Sequence, residues 1–120
     1  MKKLPIFLAF AAFFITSGCD NTPKELTEIV PDKAYMFYSN GCPHCHDAQA
    51  FLNKKYPDLN IIKLNVATPQ GQQLLRQCAK KFKIKQGLGV PLFCLGDNYI
   101  MGWSPRYEQK FQNYIKPFLK

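Results

Sequence analysis

Acidic residues are scarce in this sequence: eight Asp and Glu stand against sixteen Lys and Arg, for a formal charge of +8. Lys2 and Lys3 fall in a segment expected to be removed, which leaves about +6. The excess is spread out, with one local run at Lys80, Lys81, Lys83 and Lys85. That run reads first as a solvated helix end, and second as a contact for anionic lipid or an acidic thiol substrate. No nucleic-acid-binding motif accompanies the charge, and an export signal argues against that class of partner. Repeats and low-complexity tracts are absent, so the chain is neither a solenoid nor a biased linker. A second pair of metal ligands is missing as well, which disfavours a zinc site. What is left is the composition of an ordinary folded protein, 47% hydrophobic and 14% aromatic over 120 residues. That is one domain, large enough to hold a core without staples.

The N-terminus reads as a secretion signal. Lys2 and Lys3 form a basic start, Leu4 to Ile15 an apolar run, and Thr16-Ser17-Gly18 a small-residue cleavage site. The run is too short to cross a bilayer comfortably, which disfavours a permanent transmembrane helix. Cys19 after the small residues resembles the lipobox of bacterial lipoproteins, whose cysteine is lipidated and becomes the mature N-terminus. Thr16 departs from the aliphatic residue preferred there. Asp20 resembles an inner-membrane retention signal. The expected layout is a signal peptide over 1–18, a lipid anchor and tether over 19–32, and a folded domain over 33–120. As a free tether, residues 20–32 would reach roughly 20 Å. Leu26, Ile29 and Val30 could instead form a short turn lying on the domain.

The chain is organised around Ser39-Asn40-Gly41-Cys42-Pro43-His44-Cys45-His46. An apolar stretch, Ala34 to Tyr38, predicts a strand before it. The spacing of Cys45, Ala48, Phe51, Leu52 and Tyr56 predicts a helix from Pro43 to about Tyr56. Proline is tolerated in the first helical turn, where its missing N–H has no partner to lose. Cys42 then sits at a helix N-terminus, where free N–H groups and the helix dipole favour an anion such as a thiolate. Cys45 is three residues on, on the same side of the helix, within reach of a mixed disulfide formed at Cys42.

Further along, Asn60 to Val66 predicts a second strand, and Thr68-Pro69 a second helix with Leu74, Leu75, Cys78 and Phe82 inward and Gly87-Leu88-Gly89 as its end. Val90 to Leu95 predicts a third strand, Gly96-Asp97-Asn98 a hairpin turn, and Tyr99 to Met101 a fourth strand. A last helix begins at Ser104-Pro105, with Tyr107, Phe111, Tyr114, Ile115 and Phe118 at helical spacing. The expected fold is α/β, a β-α-β-α-β-β-α sandwich around a four-stranded mixed sheet, with two parallel crossovers followed by a hairpin.

Cys42-Pro43-His44-Cys45 after the first strand, Val90-Pro91 about 46 residues later and glycine after the fourth strand resemble the thioredoxin superfamily. The short length and the Val-Pro, Gly-Asp-Asn, Gly pattern are similar to glutaredoxins, whereas Pro43-His44 is the dipeptide of DsbA-type oxidases. The resemblance implies that Cys42 is the exposed nucleophile and Cys45 the resolving thiol, with Pro43 and His44 tuning them. It implies that Pro91 is a cis-proline and that Val90 pairs with an extended substrate. Met36 stands where thioredoxins carry a buried acid, and Met101-Gly102-Trp103-Ser104 replaces the stretch through which many glutaredoxins bind glutathione. Trp103 is either core or an apolar wall beside the site. Cys78 and Cys94 are either two buried thiols or a structural disulfide.

The reading is an exported thiol–disulfide oxidoreductase on the periplasmic side of the cell membrane, anchored through Cys19. It needs no bound cofactor. Its partners are cysteine-containing proteins and a redox partner that recycles the Cys42–Cys45 pair. Stabilising the thiolate makes the disulfide a stronger oxidant, the relation that DsbA exemplifies. Oxidation or isomerisation is therefore favoured, with a glutaredoxin-like reductase as the alternative. An alternative of another class is a c-type haem carrier, since Cys42-Pro43-His44-Cys45-His46 also fits C-x-x-C-H, with His46 as axial ligand and Met101 or Met36 opposite.

Overall fold

A computed structural model describes residues 26–119. The expected signal segment 1–18, Cys19 and the first part of the tether lie outside the described residues. Four strands, β1 (Ala34–Tyr38), β2 (Ile61–Asn65), β3 (Leu92–Leu95) and β4 (Asn98–Met101), form one sheet in the order β2-β1-β3-β4. Three helices pack on it: α1 (Pro43–Lys55), α2 (Pro69–Lys81) and α3 (Glu108–Tyr114).

The strand period of two divides the interior. Ala34 and Met36 of β1 and Phe93 and Leu95 of β3 face α1 and α3, where they meet Cys45, Ala48, Phe51, Leu52, Phe111 and Ile115. Tyr35, Phe37, Leu92 and Cys94 point the other way, towards Leu74, Leu75 and Cys78 of α2. Both faces are covered, so the central strands read as apolar runs and not as alternating patterns.

Local chemistry explains the element starts. Thr68 Oγ1 accepts a hydrogen bond from the Gly71 N–H at 2.9 Å and donates to the Asn65 carbonyl at 2.8 Å, and Pro69 follows in the first turn. Such a cap contributes about 1 kcal/mol. Gly71 is required by its surroundings, because a Cβ there would collide with the Asn65 carbonyl. Gly96 takes a positive φ of 70° in the two-residue turn between Leu95 and Asn98.

Three expectations are corrected. Only β1 and β2 run parallel; β3 is antiparallel to β1, so the second crossover is not a parallel one. The reason is the stretch 82–91, which climbs back along the domain after α2 descends, so that β3 enters from the end that β1 and β2 leave. α2 stops at Lys81, not at Gly87: Lys83 adopts a left-handed φ of 58°, and the Ile84 N–H bonds the Ala79 carbonyl at 2.8 Å. The last helix is broken into a 3-10 turn at Pro105–Tyr107, α3, and a 3-10 turn at Lys116–Phe118. Pro117 has no N–H to continue the ladder and restricts Lys116. Of the two readings of residues 26–30, the turn lying on the domain is the one observed. Leu26, Ile29 and Val30 pack on the α2 side of the core, and the Val30 N–H donates to the Tyr35 hydroxyl at 3.1 Å.

Candidate active site

β1 ends at Tyr38, and the chain turns through Ser39, Asn40 and Gly41 into α1. Cys42 is the N-cap of that helix, in extended conformation, and Pro43 opens the first turn. The Cys45 N–H points at the Cys42 sulfur from 3.0 Å. This is the backbone donor that stabilises a thiolate at Cys42 once the pair is reduced. Cys42 is half-buried at the surface, whereas Cys45 is 2% exposed against Met36 and Ala48. The two are joined in a disulfide with Cα atoms 5.2 Å apart. One sulfur is reachable and the other is sheltered behind it.

The third strand supplies the opposite wall. The Val90–Pro91 bond is cis, and Pro91 is fully buried. The Pro91 carbonyl accepts the Gly102 N–H at 2.8 Å, one step beyond the Leu92–Met101 pair, which fixes this loop to β4. The Val90 carbonyl oxygen lies 3.7 Å from the Cys42 sulfur. The structure thus brings Cys42, Cys45, Val90 and Pro91 together in one locus, although they come from opposite halves of the domain.

His44 is exposed on the first turn of α1 and lines a groove of about 390 Å³ with Phe51, Trp103, Ser104 and Glu108. Trp103 satisfies both of its expected roles: it is packed on Phe51, Phe93 and Phe111, and it forms a wall of this groove. Behind Cys45 lies a smaller cavity of about 260 Å³ lined by Met36, Tyr38, His46 and Lys63. It connects the sheltered cysteine to polar groups, and Lys63 was missed by the sequence reading. Lys63 reaches the cavity because it pairs with Met36 across β1 and β2, a register that no local pattern in the sequence states. His46 lies beside the Asn40 carbonyl at 3.0 Å. A carbonyl only accepts, so Nε2 carries the hydrogen in this contact.

Cys78 of α2 and Cys94 of β3 form the second disulfide, with Cα atoms 6.5 Å apart. They are 0% and 2% exposed, so this bond lies within the core on the far face of the sheet. The haem alternative fits poorly. Cys45 is sheltered by core residues, and Met36 and Met101 pack against opposite faces of the sheet.

A solved structure shares this fold. The glutaredoxin grx-1 from Archaeoglobus fulgidus superposes with a TM-score of 0.55 at 20% sequence identity, covering 83% of this chain and 99% of that one. The chain has the thioredoxin fold. No protein-family model and no curated protein matches the sequence. At this identity the likeness concerns architecture, and the chemistry rests on the cysteines themselves.

Proposed function

We propose that the protein is a thiol–disulfide oxidoreductase of the bacterial cell envelope, working on protein cysteines through Cys42 and Cys45. The observation that carries this reading is the reachable Cys42 sulfur, held between the Cys45 N–H and the Val90–Pro91 loop. In the oxidising direction a substrate thiolate attacks the Cys42 sulfur. The Cys42–Cys45 bond breaks, and Cys45 leaves with the electron pair and takes up a proton. A second substrate thiolate then attacks the substrate sulfur of the mixed disulfide and expels Cys42 as a thiolate, which the Cys45 N–H receives. Two electrons pass from the substrate dithiol to the cysteine pair, and a separate partner must accept them before the next cycle. Val90 and Pro91 flank the approach of the substrate chain.

Support for an envelope location comes from the N-terminal signal, from Cys19, and from the buried Cys78–Cys94 bond, since structural disulfides persist in oxidising compartments. Pro43-His44 and the N-cap donor favour oxidation or isomerisation, because a stabilised thiolate stabilises the reduced form. The glutaredoxin-like architecture favours a second reading, a disulfide reductase running the same steps backwards. Equilibrating the purified protein against defined glutathione mixtures separates the two. A potential near those of strong oxidants is the expected result, and a strongly reducing value selects the reductase.

A further inference from the structure

One side of α2 carries Gln70, Gln73 and Gln77, at the spacing that lines up one helical stripe. The stripe binds the incoming chain. Gln70 donates to the Leu26 carbonyl at 2.8 Å, and Gln73 and Gln77 donate to the Thr27 carbonyl at 3.4 and 3.2 Å. The Oε1 of Gln77 accepts the Ile29 N–H at 2.7 Å. All four bonds go to backbone, while Leu26, Ile29 and Val30 bury their side chains beside the core. Residues 26–30 are thus a strap with a fixed direction: it enters beside the first turn of α2, descends along the helix, and reaches the β3–β4 hairpin, where the Pro31 carbonyl lies against Gly96.

That direction decides which end of the domain the preceding chain leaves from. α2 begins just after Asn65, which pairs with Tyr38 at the end of β1, and Cys42 follows Tyr38. Leu26 and Cys42 are therefore at the same end of the sheet. The opposite end holds the last turns of α1 and α2, with Lys54, Lys55, Lys80 and Lys81. Cys19 precedes Leu26 by seven residues, a contour of at most about 25 Å. The lysine-rich end lies about 16 Å farther along α2, so facing it to the membrane would consume most of that contour.

We infer that the strap holds the Cys42–Cys45 end against the membrane surface, and that the substrates are cysteines presented close to the bilayer, in juxtamembrane segments of membrane-embedded or anchored proteins. This rests on the anchored oxidoreductase reading above. Residues that touch no substrate, Gln70, Gln73 and Gln77, then set the substrate class by setting the orientation.

The test uses vesicles carrying the full, lipid-bearing chain and two acylated dithiol peptides at equal surface density. One holds its cysteines on a short spacer and the other on a long Gly-Ser spacer. The short-spacer peptide is expected to be oxidised at least about tenfold faster, as the effective concentration at the site dictates. Inserting a long Gly-Ser segment between Lys24 and Glu25 should abolish that preference without changing the rate on a free dithiol peptide. The Q70A/Q73A/Q77A variant should weaken it. A preference for the long spacer, or one indifferent to the insertion, overturns the inference while leaving the oxidoreductase reading intact. Failure to oxidise or reduce the free peptide, or recovery of the chain without lipid at Cys19, removes the reading on which it stands.

Discussion

The two cysteine pairs make the same bond in opposite circumstances. Cys42–Cys45 spans three residues at the mouth of a helix, with one sulfur at the surface and a backbone N–H aimed at it. Cys78–Cys94 spans sixteen residues, joins α2 to β3, and is sealed in the core. The first closes a loop too short to restrict the unfolded chain much. The second should contribute about 3 kcal/mol on the chain-entropy model. Access and thiolate stabilisation separate a reactive pair from a structural one, and neither is visible in the bond itself.

That contrast can be broken most directly at Cys42. Cys42→Ser should reduce exchange with a dithiol or disulfide peptide to the uncatalysed level, whereas Cys45→Ser should accumulate a covalent complex with substrate, seen on a non-reducing gel. Residual turnover in the Cys42 variant would assign the chemistry elsewhere. Replacing Cys78 and Cys94 together by alanine should lower unfolding free energy by about 2–4 kcal/mol in a denaturant titration. Exchange through Cys42 should persist in that variant under conditions where it remains folded.

The order of reduction sharpens the same point. Limiting reductant followed by mass-labelled alkylation should tag Cys42 and Cys45 while Cys78 and Cys94 stay joined until the domain unfolds. Alkylation of reduced Cys42 at mildly acidic pH should outpace free cysteine, because the N-cap donor preserves thiolate there. The smallest effect belongs to Thr68→Ala, which removes the cap of α2 and should cost about 1 kcal/mol with no change in exchange rate.

Much of this was legible in the sequence because its signals are local. Proline in a first turn, the Thr68-Pro69 start and the Gly96 turn each act over three or four residues, and each stands where expected. The candidate site was legible for the same reason at Cys42 and Cys45. Val90 and Pro91 came from resemblance, since nothing in an isolated Val-Pro states which isomer it adopts. What failed was long-range. The direction of β3 depends on how far residues 82–91 travel, and no periodic pattern encodes that distance. In sequence the glutamine stripe is indistinguishable from any polar helix face, because its partners are backbone groups 44 to 50 residues away. Pro117 breaks the last helix locally, where the helical spacing of Ile115 and Phe118 alone predicts continuity.

The single tryptophan has a practical consequence. Trp103 lies within 5.1 to 5.8 Å of Phe51, Phe93 and Phe111, measured between ring centres, all of them on the α1 and α3 side. Its emission is therefore a one-sided gauge. Loosening of the α2 layer could proceed unnoticed by fluorescence while amide exchange in α2 and the strap already registers it. A gap between those two signals would mark the domain as two cooperative halves sharing one sheet.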